Sequence, residues 1–164
     1  MIKLRLKKLK DQFVKYNLDG YVVPKNDEFF SEYSNKDRLG FISNFKGSAG
    51  YAVILKNKNY LFVDGRYTIQ AKIESGKNFK IINLKEILDT KLFKNLNLGI
   101  DPKLFTSDQI KKFFLKNNRV KIINENLVDN IFKAKQKKII PFYSLDTKVT
   151  GENHSQKIQK ILSF

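Results

Sequence analysis

Cysteine and tryptophan are absent from these 164 residues, and histidine and methionine occur once each. Without cysteine there can be no disulfide and no thiolate metal site, which fits a reducing, cytoplasmic location. No apolar run approaches the ~18 residues needed to cross a bilayer, so no membrane partner is expected. The amino terminus is basic, but no continuous apolar segment follows Lys3 to Lys10, so it does not read as a signal peptide. With His154 as the only histidine, Ser48 in Gly47-Ser48-Ala49-Gly50 has no partner for a Ser-His-Asp arrangement. No spacing of carboxylates suggests a metal site within the chain. The glycines lack phosphate-loop spacing and a following Lys-Ser/Thr, which argues against a nucleotide site. These absences predict no catalytic residue and no metal ligand in this segment.

Arginine is scarce too. Arg5, Arg38, Arg66 and Arg119 are the only four among 32 cations, in a chain of net charge +16. Bidentate reading of phosphates and base edges favours the guanidinium fork. The lysines are scattered through every segment beside abundant asparagine, which biased codon usage explains without a partner. No specific nucleic-acid partner is expected, although general electrostatic affinity stays a rival reading.

What is present is globular: 41% apolar residues, including 14 Phe and 7 Tyr, enough for one domain with a core. The centre of the chain runs from Phe41 to Ala71. There Tyr51-Ala52-Val53-Ile54-Leu55 and Tyr60-Leu61-Phe62-Val63 flank a polar turn and predict a hairpin. Ile2, Leu6, Leu9, Phe13 and Tyr16 share one face of a first helix, with Gly20 expected as its left-handed terminator. Tyr21-Val22-Val23 reads as a buried strand stopped by Pro24. Lys25 to Arg38 reads as loop, with a short helix around Asp27 to Tyr33.

Beyond the hairpin, Asp64 is placed to cap a helix over Arg66 to Ser75, closed by Gly76 and buried through Ile69 and Ile73. Strands are expected at Phe79–Ile82, Leu98–Asp101 and Val120–Ile123. Helices are expected at Glu86–Lys94, with Ile87, Leu88 and Leu92 inward, and after a Thr106-Ser107-Asp108-Gln109 capping box, with Ile110, Phe113 and Phe114 inward. A last helix would be capped by Asn126 and buried through Leu127, Val128, Ile131 and Phe132. Residues 134–153 read as a linker, and His154 to Phe164 resumes a helical spacing like the first turns of a second domain. Strands alternating with helices make the fold class α/β, with a mixed β-sheet flanked by helices. At the end of the hairpin, Asp64-Gly65-Arg66-Tyr67 offers a guanidinium that can hold a carboxylate or carbonyl oxygen. The alternative is a local pair between Arg66 and a carboxylate.

The chain resembles the N-terminal domain of creatinase/prolidase-type peptidases, in particular Xaa-Pro aminopeptidases (aminopeptidase P). The resemblance rests on Ser31-Glu32-Tyr33, Asp37-Arg38, Phe41-Ile42-Ser43, Phe45, Gly47-Ser48-Ala49-Gly50 and Asp64-Gly65-Arg66-Tyr67. It continues through Gln70-Ala71, Gly99-Ile100-Asp101-Pro102 and Glu125-Asn126-Leu127-Val128-Asp129 with Ile131. Departures are Asn44 for a usual Gly, Val63 for Thr, Phe132 for Trp, and Ala134-Lys135 for Arg-Pro.

The resemblance implies a creatinase N-terminal, ribonuclease H-like domain over residues 1–133, a linker over 134–153, and the start of a truncated second domain over 154–164. It implies a hydrolase that removes the residue preceding a proline, a metallopeptidase with two divalent metals, usually manganese, in a missing C-terminal catalytic domain. This segment would be non-catalytic, shaping the substrate entrance and supporting a homo-oligomer. Its partners would be a peptide with proline at the second position and the catalytic domain. Arg66 would reach that peptide, with Tyr67 and Phe45 lining the mouth. An alternative from the same fold is a catalytically inactive peptide-binding or scaffolding module.

Overall fold

The computed structural model describes residues 1–31, 36–88, 92–133 and 141–164. The chain divides into two units, residues 1–134 and 135–164. The first is built on a six-stranded sheet: β1 (Gly20–Pro24), β2 (Gly50–Leu55), β3 (Asn59–Val63), β4 (Lys80–Asn83), β5 (Asn97–Ile100) and β6 (Arg119–Ile122). The spatial order is β4-β3-β2-β1-β5-β6. Pairing is antiparallel for β1–β2 and β2–β3 and parallel for β3–β4, β1–β5 and β5–β6. The sheet is therefore mixed, with β2 alone running against the other five. The expected hairpin is β2–β3, in register from Gly50 opposite Val63 to Ile54 opposite Asn59.

Side chains alternate across a strand, and that alternation splits the core into two layers. Tyr21, Val23, Ala52, Ile54, Leu61 and Val63 face one side, while Val22, Val53, Tyr60 and Phe62 face the other. The first side is covered by α1 (Ile2–Asp11), α2 (Arg38–Ser43) and α3 (Thr68–Ser75). The second is covered by a 3₁₀ turn at Leu84–Leu88, by α4 (Ser107–Ile110), and by the π-helical turn Lys111–Leu115 that prolongs it. Both faces being covered explains why the central strands read as continuous apolar runs. The Thr106–Gln109 capping box forms as its residues suggest.

Several local expectations are corrected. The first helix ends at Asp11, and the left-handed residue in the connection to β1 is Asn17, at φ 48°. Gly20 instead opens β1, where a Cβ would lie 2.9 Å from the Ile54 carbonyl oxygen and 3.1 Å from a Leu98 methyl. The stretch before the hairpin holds α2, capped by Asp37, whose side chain accepts from the Gly40 amide. Ile69 and Ile73 are 75% and 77% exposed. In their place α3 turns the small pair Ala71 and Ser75 inward, which lies two positions, or about 200°, around the helix. The last expected helix, after Asn126, is a set of turns, although Leu127 and Val128 are fully buried. Of the expected helix at Glu86–Lys94, only the 3₁₀ turn Leu84–Leu88 forms on the near side, and residues 89–91 lie outside the described residues. Glu32-Tyr33 and Ala134-Lys135 lie outside them as well.

In the second unit, α5 (Thr147–Thr150) is capped by Asp146 and α6 (His154–Leu162) by an Asn153–Gln156 capping box. α5 falls inside the stretch that reads as linker. Among its described residues none is buried, and Ile158, Ile161 and Leu162 stand exposed.

One ion pair ties distant segments of the first unit. Arg38, 4% exposed, donates from Nε and Nη2 to the two carboxylate oxygens of Asp129, each at 2.9 Å. Lys36 donates to the same carboxylate at 2.9 Å, and Glu28 accepts from Arg38 at 3.4 Å. Removing one member of a buried pair costs more than the pair contributes, because the survivor keeps its desolvation penalty. Asp129→Ala is expected to lower stability by roughly 3 kcal/mol in urea unfolding, and Arg38→Met with Asp129→Leu to recover most of that loss. Burial disfavours the Asp129 anion, but the hydrogen bonds and charges of Arg38 and Lys36 outweigh it and lower its pKa. Its contribution is therefore present above the unfolded carboxyl value of about 4 and disappears as pH falls through the lower folded value. Acid unfolding curves of Asp129→Asn should lose that part of the slope.

Candidate functional site

Because only β2 runs against the others, the carboxyl ends of five strands and the start of β2 meet along one edge of the sheet. Ligands of open α/β sheets bind outside the carboxyl ends of strands. This edge gathers Lys25 and Asn26 after β1, Gly47 to Gly50 before β2, Asp64 to Tyr67 after β3, and Asp101 after β5.

Asp64 sits at the end of β3 with an extended backbone, and its Oδ1 accepts from the Arg66 amide at 3.0 Å, capping a 3₁₀ turn over Gly65–Tyr67. The same oxygen accepts from Arg66 Nε at 2.9 Å. These bonds, the amide first, lower the Asp64 pKa. The local pair that the sequence allowed is thus formed, and the Arg66 side chain remains 78% exposed. Its guanidinium carbon lies 5.7 Å from the Tyr67 ring centre. A guanidinium carries five N–H donors in a planar fork suited to a carboxylate or carbonyl.

Tyr67 is half-buried and joins its neighbours in two ways. Its hydroxyl lies 2.9 Å from Ser48 Oγ, and its ring meets the Phe45 ring edge-on at 5.8 Å. Phe45 itself is fully buried, so it supports Tyr67 from beneath and does not itself face the surface. Ser48, in a turn that superficially resembles a nucleophile turn, is held by a phenol. Beside it lies a cleft of about 180 Å³ walled by Lys25, Asn26, Ser48, Tyr51 and Leu84. The buried Lys25 ammonium there is committed to Asp37 at 2.7 Å. On the other side of Leu84 a wider hollow of about 460 Å³ reaches Asp64 and Gly65. The edge is therefore a shallow, mixed-polarity rim on which the Arg66 and Lys85 cations stand exposed.

Among the described residues no three of His, Asp and Glu converge on a point that could hold a metal ion. The carboxylates near the rim are engaged otherwise: Asp37 with Lys25 and the Gly40 amide, Asp64 with Arg66, and Asp101 with Asn126 and the Lys103 amide. A two-metal centre does not fit these residues, and no chemical step through a metal is derived for this chain.

The links missed at the sequence level are long-range ones. Arg38 with Asp129, and Asp101 with Asn126 at 2.9 Å, join segments that lie far apart in the sequence. No local pattern announces such pairs. Only the short sequence distance between Ser48 and the Tyr67 strand end, across a two-stranded hairpin, could have suggested that contact.

The family model described as "Creatinase/Prolidase N-terminal domain" matches residues 5–128. Over 96% of this chain, a protein of Coprinopsis cinerea named "Probable Xaa-Pro aminopeptidase P" is 32% identical, across 28% of its own length. "Xaa-Pro aminopeptidase 2" of Rattus norvegicus is 31% identical over 98% of this chain and 26% of its own. The crystal structure of the X-prolyl aminopeptidase from Caenorhabditis elegans, described as a cytosolic enzyme with a di-nuclear active site, superposes with a TM-score of 0.77. It is 27% identical, over 98% of this chain and 30% of that one. The chain thus spans less than a third of the length of these relatives.

The packing beneath Tyr67 has a testable consequence. A Cβ on Gly47 would collide with the Phe45 ring. Gly47→Ala is expected to displace Phe45 and Tyr67 and to cost about 1–3 kcal/mol, read as a lower urea midpoint with an unchanged m-value.

Proposed function

The chain belongs to the creatinase/prolidase N-terminal domain family, and on that premise we propose that it is the amino-terminal part of a metal-dependent Xaa-Pro aminopeptidase. The observation that carries this is a likeness to Xaa-Pro aminopeptidases that extends over 96% and 98% of the chain at 32% and 31% identity. In this reading the chemistry belongs to a catalytic domain holding two divalent metals, with manganese the metal that the resemblance implies. That domain activates a water against the peptide bond preceding proline. The segment described here orients the peptide and supplies no reacting group. The di-nuclear, cytosolic character of the nematode enzyme supports the metal count and a cytoplasmic location.

Arg66 is the residue through which this domain meets the substrate. Its guanidinium is held in place by Asp64 and extends from the strand edge, suited to a peptide carbonyl or the terminal carboxylate beyond the proline. Tyr67 flanks it, and Phe45 fixes Tyr67. Excluding water is the task of the assembled enzyme, since the rim alone is open.

In the enzyme that contains this domain, Arg66→Ala should lower kcat/KM for Xaa-Pro peptides by about tenfold to a hundredfold, the worth of one charge-assisted hydrogen bond. Arg66→Lys should recover part of it, and the melting temperature should stay unchanged. Undiminished kcat/KM would remove Arg66 from the site. The 164-residue chain supplied with manganese and an Xaa-Pro peptide is expected to give no turnover. Turnover above blank would overturn the assignment of chemistry to another domain.

A further inference from the structure

The lysines that look scattered along the sequence converge in space. A groove of about 750 Å³ runs between α1 and the β3–β4 side of the sheet. One wall carries Lys3, Lys7 and Lys10, and the other carries Lys58, Lys77 and Lys80. Asp11 is the single acidic residue lining it. The wall on α1 follows from the helix itself: Ile2, Leu6 and Leu9 are buried, so the positions one residue on form a row beside the buried stripe. Their Cα atoms are offset along the axis by about 6 Å and 4.5 Å. The opposite wall comes from the hairpin turn, the 3₁₀ turn Gly76–Asn78 and the start of β4. Lys10 is anchored by donating to the Lys56 carbonyl at 3.0 Å. Lys3, Lys7, Lys58, Lys77 and Lys80 are exposed.

The lining also limits what can sit there. The floor residues Leu6 and Tyr60 are each only 5% exposed, and Tyr60 is the one aromatic in the groove. No ring face is offered for a base to stack on, which is how single-stranded nucleic acids are gripped. No arginine lines the groove, so no fork is available for base edges. A ligand that answers this surface brings closely spaced negative charge and little else.

We propose that this groove is a binding site for a linear chain of phosphoryl groups, in the form of inorganic polyphosphate, lying between the two lysine walls. Lysine suits it, because an ammonium on a flexible stem meets a phosphate oxygen as a point charge at any orientation. The site is independent of the peptidase reading, since Arg66 and the rim take no part in it.

The test compares two triple variants of equal charge in the full chain. Lys3→Gln/Lys7→Gln/Lys80→Gln removes part of the groove. Lys111→Gln/Lys112→Gln/Lys116→Gln removes another exposed lysine cluster, which lines a separate hollow with Leu115. Calorimetric titration with short-chain inorganic polyphosphate should show the groove variant weakened by about tenfold or more, and the control by less than about twofold, with a shallower salt dependence for the former alone. Lys58→Gln/Lys77→Gln, which leaves α1 and its lysines untouched, should repeat the loss should the first variant melt early. Equal weakening in both triples would mean that net charge alone attracts the anion, and overturns the site. So does absence of binding, or an oligothymidylate or polyglutamate of equal charge binding as tightly as polyphosphate.

Discussion

Covering both faces of one sheet is the constraint on which the rest of the structure depends. β1, β2 and β3 carry apolar side chains to both layers of the core, so neither face can be left to water. Helices must close one side and the α4 region with its turns the other. Once they do, polar groups of these strands stand open at the two ends of the sheet, along the edge where β1 and β3 finish and, opposite it, at the Lys56–Lys58 turn. Five strands end along the same edge, and the family-like segments between Lys25 and Asp101 are brought there by topology alone.

Within that frame, residues of the same family pattern divide by their surroundings. Arg38 is 4% exposed and spends its guanidinium on Asp129 and Glu28. Arg66 is mostly exposed, with Asp64 setting its orientation. Two arginines of one chemistry thus do opposite work: a desolvated clamp between distant segments, and a surface cation at a strand end. Phe45 and Tyr67 repeat the division, one enclosed and one at the boundary, coupled through an edge-on ring contact.

The high net charge gains a distribution in the folded chain. Lysines from α1, the hairpin turn and the start of β4 are far apart in sequence and become two walls of one groove. Mutual repulsion among them is a cost that the fold carries in water. It is eased by exposure and by solvent screening, and only Lys10 among the six is partly withdrawn, its pKa lowered by desolvation.

The sequence by itself determined the strands, the hairpin, the cap at Asp64 and the α/β class. Each of these follows from side-chain alternation, turn residues and capping groups that act over a few positions. It also carried the family pattern and the four residues around Arg66. Only the tertiary structure decided which face of α3 is buried, because Ala71 and Ser75 allow a close approach to the sheet that Ile69 and Ile73 would prevent. It likewise decided that the segment after Asn126 stays in turns: Asn126 is held by Asp101, and Tyr21 accepts from the Leu127 amide, so backbone and side-chain groups are satisfied without a helix. Pairings such as Arg38 with Asp129, 91 positions apart, leave no periodic trace. They are fixed by where the strands deliver their ends, and local sequence carries no record of that.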